Sequence, residues 1–190
     1  MIKTLKIKTL LLFNIFTISI FLIIELLFPL FTTPTMFCLI PRNIDYITGV
    51  FLMHFDHADM AHLGSNLTPL LILSSLIIIK KNIKFLTTFF VLSFILSGSM
   101  LWLIGQGGCH IGVSVTVFSL WGFIVTQGIF TKSIKDISTG LVVGFLYVSF
   151  IYGLSPFQEG VSWDGHLYGL ITGIIIASLL KKQKVKNKSF

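Results

Sequence analysis

Apolar residues run along this chain in long blocks, and the polar residues fall in short clusters between them. Six blocks are long enough to cross a bilayer as helix, which takes about 20 residues. They are Leu10–Leu30, Met60–Ile79, Phe85–Gly105, Val113–Phe130, Ile137–Ser155 and Trp163–Leu180. The last four are interrupted by Gly, Ser or Thr, small residues that membrane helices use for close packing. The pattern predicts an all-α membrane protein of six spans. A short N-terminal stretch (residues 1–9) precedes the six-span domain (10–180), and a basic tail (181–190) follows it.

Composition agrees. The chain is 54% hydrophobic and only 11% charged, whereas a soluble domain carries about 25% charged residues. The charge that remains is sorted by position. Lys3, Lys6 and Lys8 precede the first span. Lys80, Lys81 and Lys84 lie between spans two and three, and Lys132 and Lys135 between four and five. Lys181, Lys182, Lys184, Lys186 and Lys188 follow the sixth. With six spans all of these share one side of the membrane, and positive charge stays in the cytoplasm. The expectation is a multi-pass protein of the plasma (inner) membrane with both termini cytoplasmic. The net charge of +7 is then a set of headgroup anchors and not a nucleic-acid surface. The N-terminal apolar run is too long for a signal-peptide core and no A-x-A-like site follows, so it reads as an uncleaved span.

Ionisable and polar groups within apolar spans are functional candidates by default. Here they gather where spans two, four and six begin, all on the side away from the lysines. Span two opens with His54, Asp56, His57, Asp59, His62 and Asn66, span four with Gly112-Val113-Ser114-Val115, and span six with Asp164-Gly165-His166. A serine beside a histidine makes a nucleophile with its general base. His62 and Asn66, one helical turn apart, share a face from which both can donate to an oxyanion. His166, Gly169 and Gly173 share a face on span six, and Ser114, Phe118 and Gly122 share one on span four. Packing these two faces would bring Ser114 to His166. The histidine and aspartate spacing is not H-E-x-x-H, and neither a metal nor a cofactor is expected. His57 is expected to shape its loop and Asp164 to cap the sixth span.

Three motifs, in order and on one side, carry a family resemblance over residues 35–180. His57-x4-His62-x3-Asn66, Gly112-Val113-Ser114 and Gly165-His166-x2-Gly169-x3-Gly173 resemble the motifs of the rhomboid intramembrane serine proteases. The resemblance implies a six-helix bundle in which Ser114 and His166 form a catalytic dyad without a carboxylate. It implies an oxyanion hole of His62, Asn66 and the Ser114 amide. It also implies single-span membrane proteins as substrates within the lipid bilayer, with the client helix approaching near spans two and five. Val115 departs from the usual G-x-S-G, and Phe118 stands where a tyrosine often packs on the histidine. Val115, Phe118 and His110 are the candidate residues lining the substrate cavity. The Val115 departure supports a second reading, a catalytically inactive rhomboid-like protein that binds membrane clients. The two cysteines, Cys38 and Cys109, fall in loops on the motif side; a disulfide between them suits an oxidising compartment, and the sequence leaves their separation open.

Overall fold

The structure is a computed structural model that describes residues 2–27 and 37–186. It is an all-helical bundle of seven α-helices among the described residues. These are α1 (Ile2–Leu27), a four-residue α2 (Gly49–Leu52), α3 (Met60–Lys80), α4 (Ile83–Ile104), α5 (Ser114–Thr131), α6 (Ile134–Leu146) and α7 (Trp163–Lys186). Five of them are long and apolar enough to cross a membrane, so the chain is an integral membrane protein. Short loops between α3 and α4 and between α5 and α6 make successive spans antiparallel. All the described lysines consequently lie at one end and Ser114 and His166 at the other.

Local signals start the helices where the apolar runs begin. Asp59, Asn82 and Ser133 cap α3, α4 and α6, each accepting a backbone N–H three residues on, which satisfies one of the orphan donors of a helix N-terminus. The expected first span ends at Leu30, outside the described residues. α1 already begins at Ile2 and α7 runs on to Lys186, so helix occupies most of the N-terminal stretch (1–9) and of the basic tail (181–190).

The fifth span differs from its expectation. Ile137–Ser155 is not one helix. α6 stops at Leu146, and a 3-10 segment, Val148–Leu154, leaves it at 65°. The break is anchored by aromatic packing: Tyr147 lies against Phe150, with ring centroids 5.0 Å apart, and Phe150 stacks on Phe118 of α5 at 4.9 Å. Composition does not distinguish this from a straight span because both forms are equally apolar. The bend turns Gly153 back into the bundle.

α5 occupies the centre. Of its span 72% is buried, against 11% for α1, and its most extensive partner is α7. Glycines allow that approach. A Cβ on Gly169 would collide with the Val115 carbonyl, one on Gly173 with the Ser119 carbonyl, and one on Gly122 would lie 2.7 Å from the Leu170 carbonyl. α1 is peripheral: Lys6 Nζ donates to the Ile79 carbonyl of α3 at 3.1 Å, Asn14 meets Ser75 of α3 at 3.4 Å, and Phe21 stacks on Phe55, in the segment before α3.

Candidate active site

Ser114 is the first residue of α5, and the loop before it is held by two hydrogen bonds. The Gly112 N–H donates to the Met53 carbonyl at 2.7 Å, and the Val113 N–H donates to His57 Nε2 at 3.3 Å. Two residues into the helix, Thr116 Oγ1 lies 3.2 Å from His54 Nδ1, and the His54 ring is stacked on Phe94 at 4.1 Å. The 53–57 segment thus holds both sides of the turn that presents Ser114. Gly112 has φ +112°, a conformation that favours glycine. A Cβ there would sit 3.1 Å from His62 Nε2 and 3.6 Å from Ser114 Oγ. The missing side chain therefore keeps open a point flanked by both groups.

His166 Nε2 lies 3.0 Å from Ser114 Oγ, and its Nδ1 lies 2.8 Å from the Gly153 carbonyl. A carbonyl only accepts, so Nδ1 carries the proton and donates, and Nε2 is left as the lone pair facing the serine hydroxyl. Gly153 takes the orienting role that a carboxylate has in a Ser-His-Asp triad. Phe118 stacks flat on the imidazole, 4.2 Å away and tilted by 7°. The ring of Phe118 performs that packing without a hydroxyl.

His62 is oriented in a comparable way. Its N–H is capped by Asp59 at 2.7 Å, and its Nδ1 accepts from the Ala58 N–H at 3.4 Å, which leaves Nε2–H as the donor on the side of Ser114. Asn66 is buried, and its Nδ2 has no hydrogen-bond partner among the described residues. The Ser114 amide belongs to the first turn of α5, whose N–H groups have no acceptor within the helix and form its positive pole. Three donors are therefore available at the serine's end of the bundle.

Val115 and His110 are packed into the protein. Val115 is 2% exposed and packs with Leu39, Val50, Met53 and Leu101, so its branches fill a core and do not project beside Ser114. His110 is also buried. Its Nε2 donates to the Gln106 carbonyl at 2.9 Å and its Nδ1 meets Ser162 Oγ at 2.6 Å. Asp164, 3% exposed, accepts from the Gly165 N–H at 2.9 Å and from the Gln106 N–H at 2.7 Å. It thereby clamps the 105–110 loop to the start of α7, two residues before His166. Residues 105–110 are also tied to the first loop. An antiparallel bridge joins Leu39 to His110, Arg42 Nη1 donates to the Gly105 carbonyl at 2.8 Å, and Cys38 and Cys109 form a disulfide with Cα atoms 5.3 Å apart. The orienting carbonyl of Gly153 and the Ser162–Asp164 clamp have no sequence signature. Each depends on a segment folding back from a distant part of the chain.

Two predictions arise here. The disulfide closes a separation of 71 residues, and a cross-link of that length contributes about 2–4 kcal/mol. Reduction in detergent is expected to lower the melting temperature and release two thiols; unchanged melting would contradict this. The second concerns acid. Burial pushes the His54 imidazole down to about 3 and, with His62 nearby, pushes His57 down to about 4 from an ordinary 6.5. The unfolded chain takes up these protons near 6.5 and the folded chain does not. Stability is therefore full above 6.5 and falls as pH drops from 6.5 toward 4, by roughly 3 kcal/mol for His57 alone. Melting at pH 7.5 and pH 4.5 is expected to show the loss, and His57→Gln to reduce it.

Fold and site together define a helical membrane bundle with a serine–imidazole pair at one end. A family model described as "Rhomboid domain" matches residues 45–183, and the chain belongs to the rhomboid family. An uncharacterized protein of Mycobacterium tuberculosis is 34% identical over 158 residues, covering 78% of this chain and 65% of that protein. One of Mycobacterium leprae is 34% identical over 154 residues, covering 76% of this chain and 61% of that protein. The matched region thus spans less than two thirds of the length of these relatives.

Proposed function

We propose that the protein is an intramembrane serine endopeptidase with Ser114 as nucleophile and His166 as general base. The observation that carries this reading is the 3.0 Å contact of Ser114 Oγ with His166 Nε2, combined with the Gly153 carbonyl that fixes the tautomer. Ser114 Oγ attacks the scissile carbonyl as its proton passes to Nε2. The oxygen that becomes negative is received by His62 Nε2–H, Asn66 Nδ2–H and the Ser114 N–H. The intermediate collapses when Nε2–H protonates the leaving amine. A water, deprotonated by the same nitrogen, then hydrolyses the acyl-enzyme and restores the serine hydroxyl. Neither metal nor cofactor enters these steps.

The substrates are single-span membrane proteins. An open groove of about 730 Å³ between α3 and α6, lined by Ile72, Leu76, Val142 and Leu146 among others, suits an apolar client helix. The lysine-rich end faces the cytoplasm, which puts the dyad toward the opposite face of the plasma membrane. The reading as a client binder that does not cut drew on Val115 alone, and the burial of that side chain in a core supports a packing role instead.

The test is cleavage of a panel of single-span reporter proteins in proteoliposomes, with the cut site mapped by mass spectrometry. Cuts within or next to the membrane segment are expected. A panel that is bound but never cut would favour the client-binding reading.

A further inference from the structure

A second groove opens between α1 and α4. It has a volume of about 620 Å³ and an apolar lining, within the range of small-molecule sites. α1 forms one wall from Thr9 to Phe21 and α4 the other from Ile83 to Phe94, while Val113 and Thr116, on either side of Ser114, close its inner end. The groove exists because α1 leans on α3. It meets α4 through Phe13 and Phe90, whose ring centroids are 6.5 Å apart.

We propose that this groove binds one anionic glycerophospholipid, with an acyl chain between α1 and α4 and the phosphate held by Lys8 and Lys84. Length is the first argument. From Thr9 to Phe21 a helix advances about 18 Å, close to the roughly 15 Å depth of one hydrocarbon leaflet. Charge is the second. Lys8 lies one turn before Leu12, and Lys84 three residues before Thr87, two lining residues on facing walls. Each wall therefore carries a lysine at the same mouth of the groove. Three neighbouring lysines are engaged elsewhere. Lys6 bonds the Ile79 carbonyl, Lys80 pairs with Asp136 at 2.7 Å, and Lys81 lies over the Phe85 ring. Of the seven acidic residues in the sequence, only Asp136 lies at this end of the bundle, and Lys80 holds it. An anionic headgroup is the complement of that uncompensated pair, and a basic mouth between membrane helices is the kind of place where such headgroups are recognised. The inner end reaches the residues beside the nucleophile, so the chain terminus would pack behind the turn that presents Ser114. The proposal concerns lipid binding and stands whether or not the protein cuts peptides.

The experiment is native mass spectrometry of the full chain, delipidated in detergent and titrated with phosphatidylglycerol or phosphatidylcholine. One phosphatidylglycerol is expected to bind at least about tenfold more tightly than phosphatidylcholine. The double variant Lys8→Gln, Lys84→Gln is expected to lose that preference. The double variant Lys132→Gln, Lys135→Gln, which removes the same charge from the same end, is expected to keep it. Thr17→Trp fills the groove and is expected to weaken both lipids; should it fail to fold, the two surface lysine pairs carry the comparison. Equal binding of both lipids in an open-ended series, the signature of a general lipid shell, would overturn the proposal. So would equal losses in the two lysine pairs, or unchanged binding in folded Thr17→Trp.

Discussion

Ser114→Ala is expected to lower turnover of a cleaved reporter by at least about 10⁴-fold, and His166→Ala by a similar factor. The two groups act through one proton transfer across 3.0 Å, so removing either removes the step. For the same reason the double variant is expected to be no slower than the single ones, because groups that act as a unit are not additive. The residual rate comes from the oxyanion donors and substrate positioning, which both variants retain. Ser114→Ala removes one small hydroxyl, and its melting temperature is expected to stay close to that of the unaltered protein. Additive losses would mean that the two residues act separately. Full activity in either single variant would remove the dyad from the account.

The second large effect is expected at Asn66. Asn66→Ala should reduce kcat by about 10²–10³-fold with little change in KM, the loss that follows removal of one oxyanion donor. Stability should change little. Asn66 Nδ2 has no hydrogen-bond partner among the described residues, so alanine breaks no hydrogen bond that holds the fold. A residue that merely braced α3 would show the opposite pattern, lower stability with activity falling in proportion. Measuring kcat, KM and melting temperature on the same preparation separates the two. Equal activity in Asn66→Ala would take the residue out of the oxyanion hole.

The membrane-spanning architecture was legible because the physics behind it is one-dimensional. A bilayer requires runs of a set length, and four of the expected runs coincide to within a few residues with the apolar spans of α3, α4, α5 and α7. The meeting of the α5 and α7 faces was legible from the spacing of Gly169, Gly173 and Gly122, since small residues one or two turns apart mark a close helix crossing. Those same faces bring Ser114 and His166 together. What was not legible is three-dimensional. Hydropathy cannot register the 65° turn after Leu146, because the 3-10 segment is as apolar as the helix it leaves. Without that turn there is no means of naming the Gly153 carbonyl as the partner of His166 Nδ1. Asp164 was readable as a cap but not as a clamp on the 105–110 loop, a contact made across 58 residues. Val115 follows the serine in sequence, which by itself suggests a neighbour of the substrate. On a helix the next residue points about 100° away, and here that direction leads into the cluster with Leu39 and Met53.

The central claim is that Ser114 is an activated nucleophile, and it can be tested with no knowledge of the substrate. The purified protein in detergent is treated with a fluorophosphonate probe and the adduct is located by mass spectrometry. The account predicts one modified residue, Ser114, with the label abolished in His166→Ala although that variant stays folded. Label on another serine, or label at Ser114 that persists without His166, would contradict it.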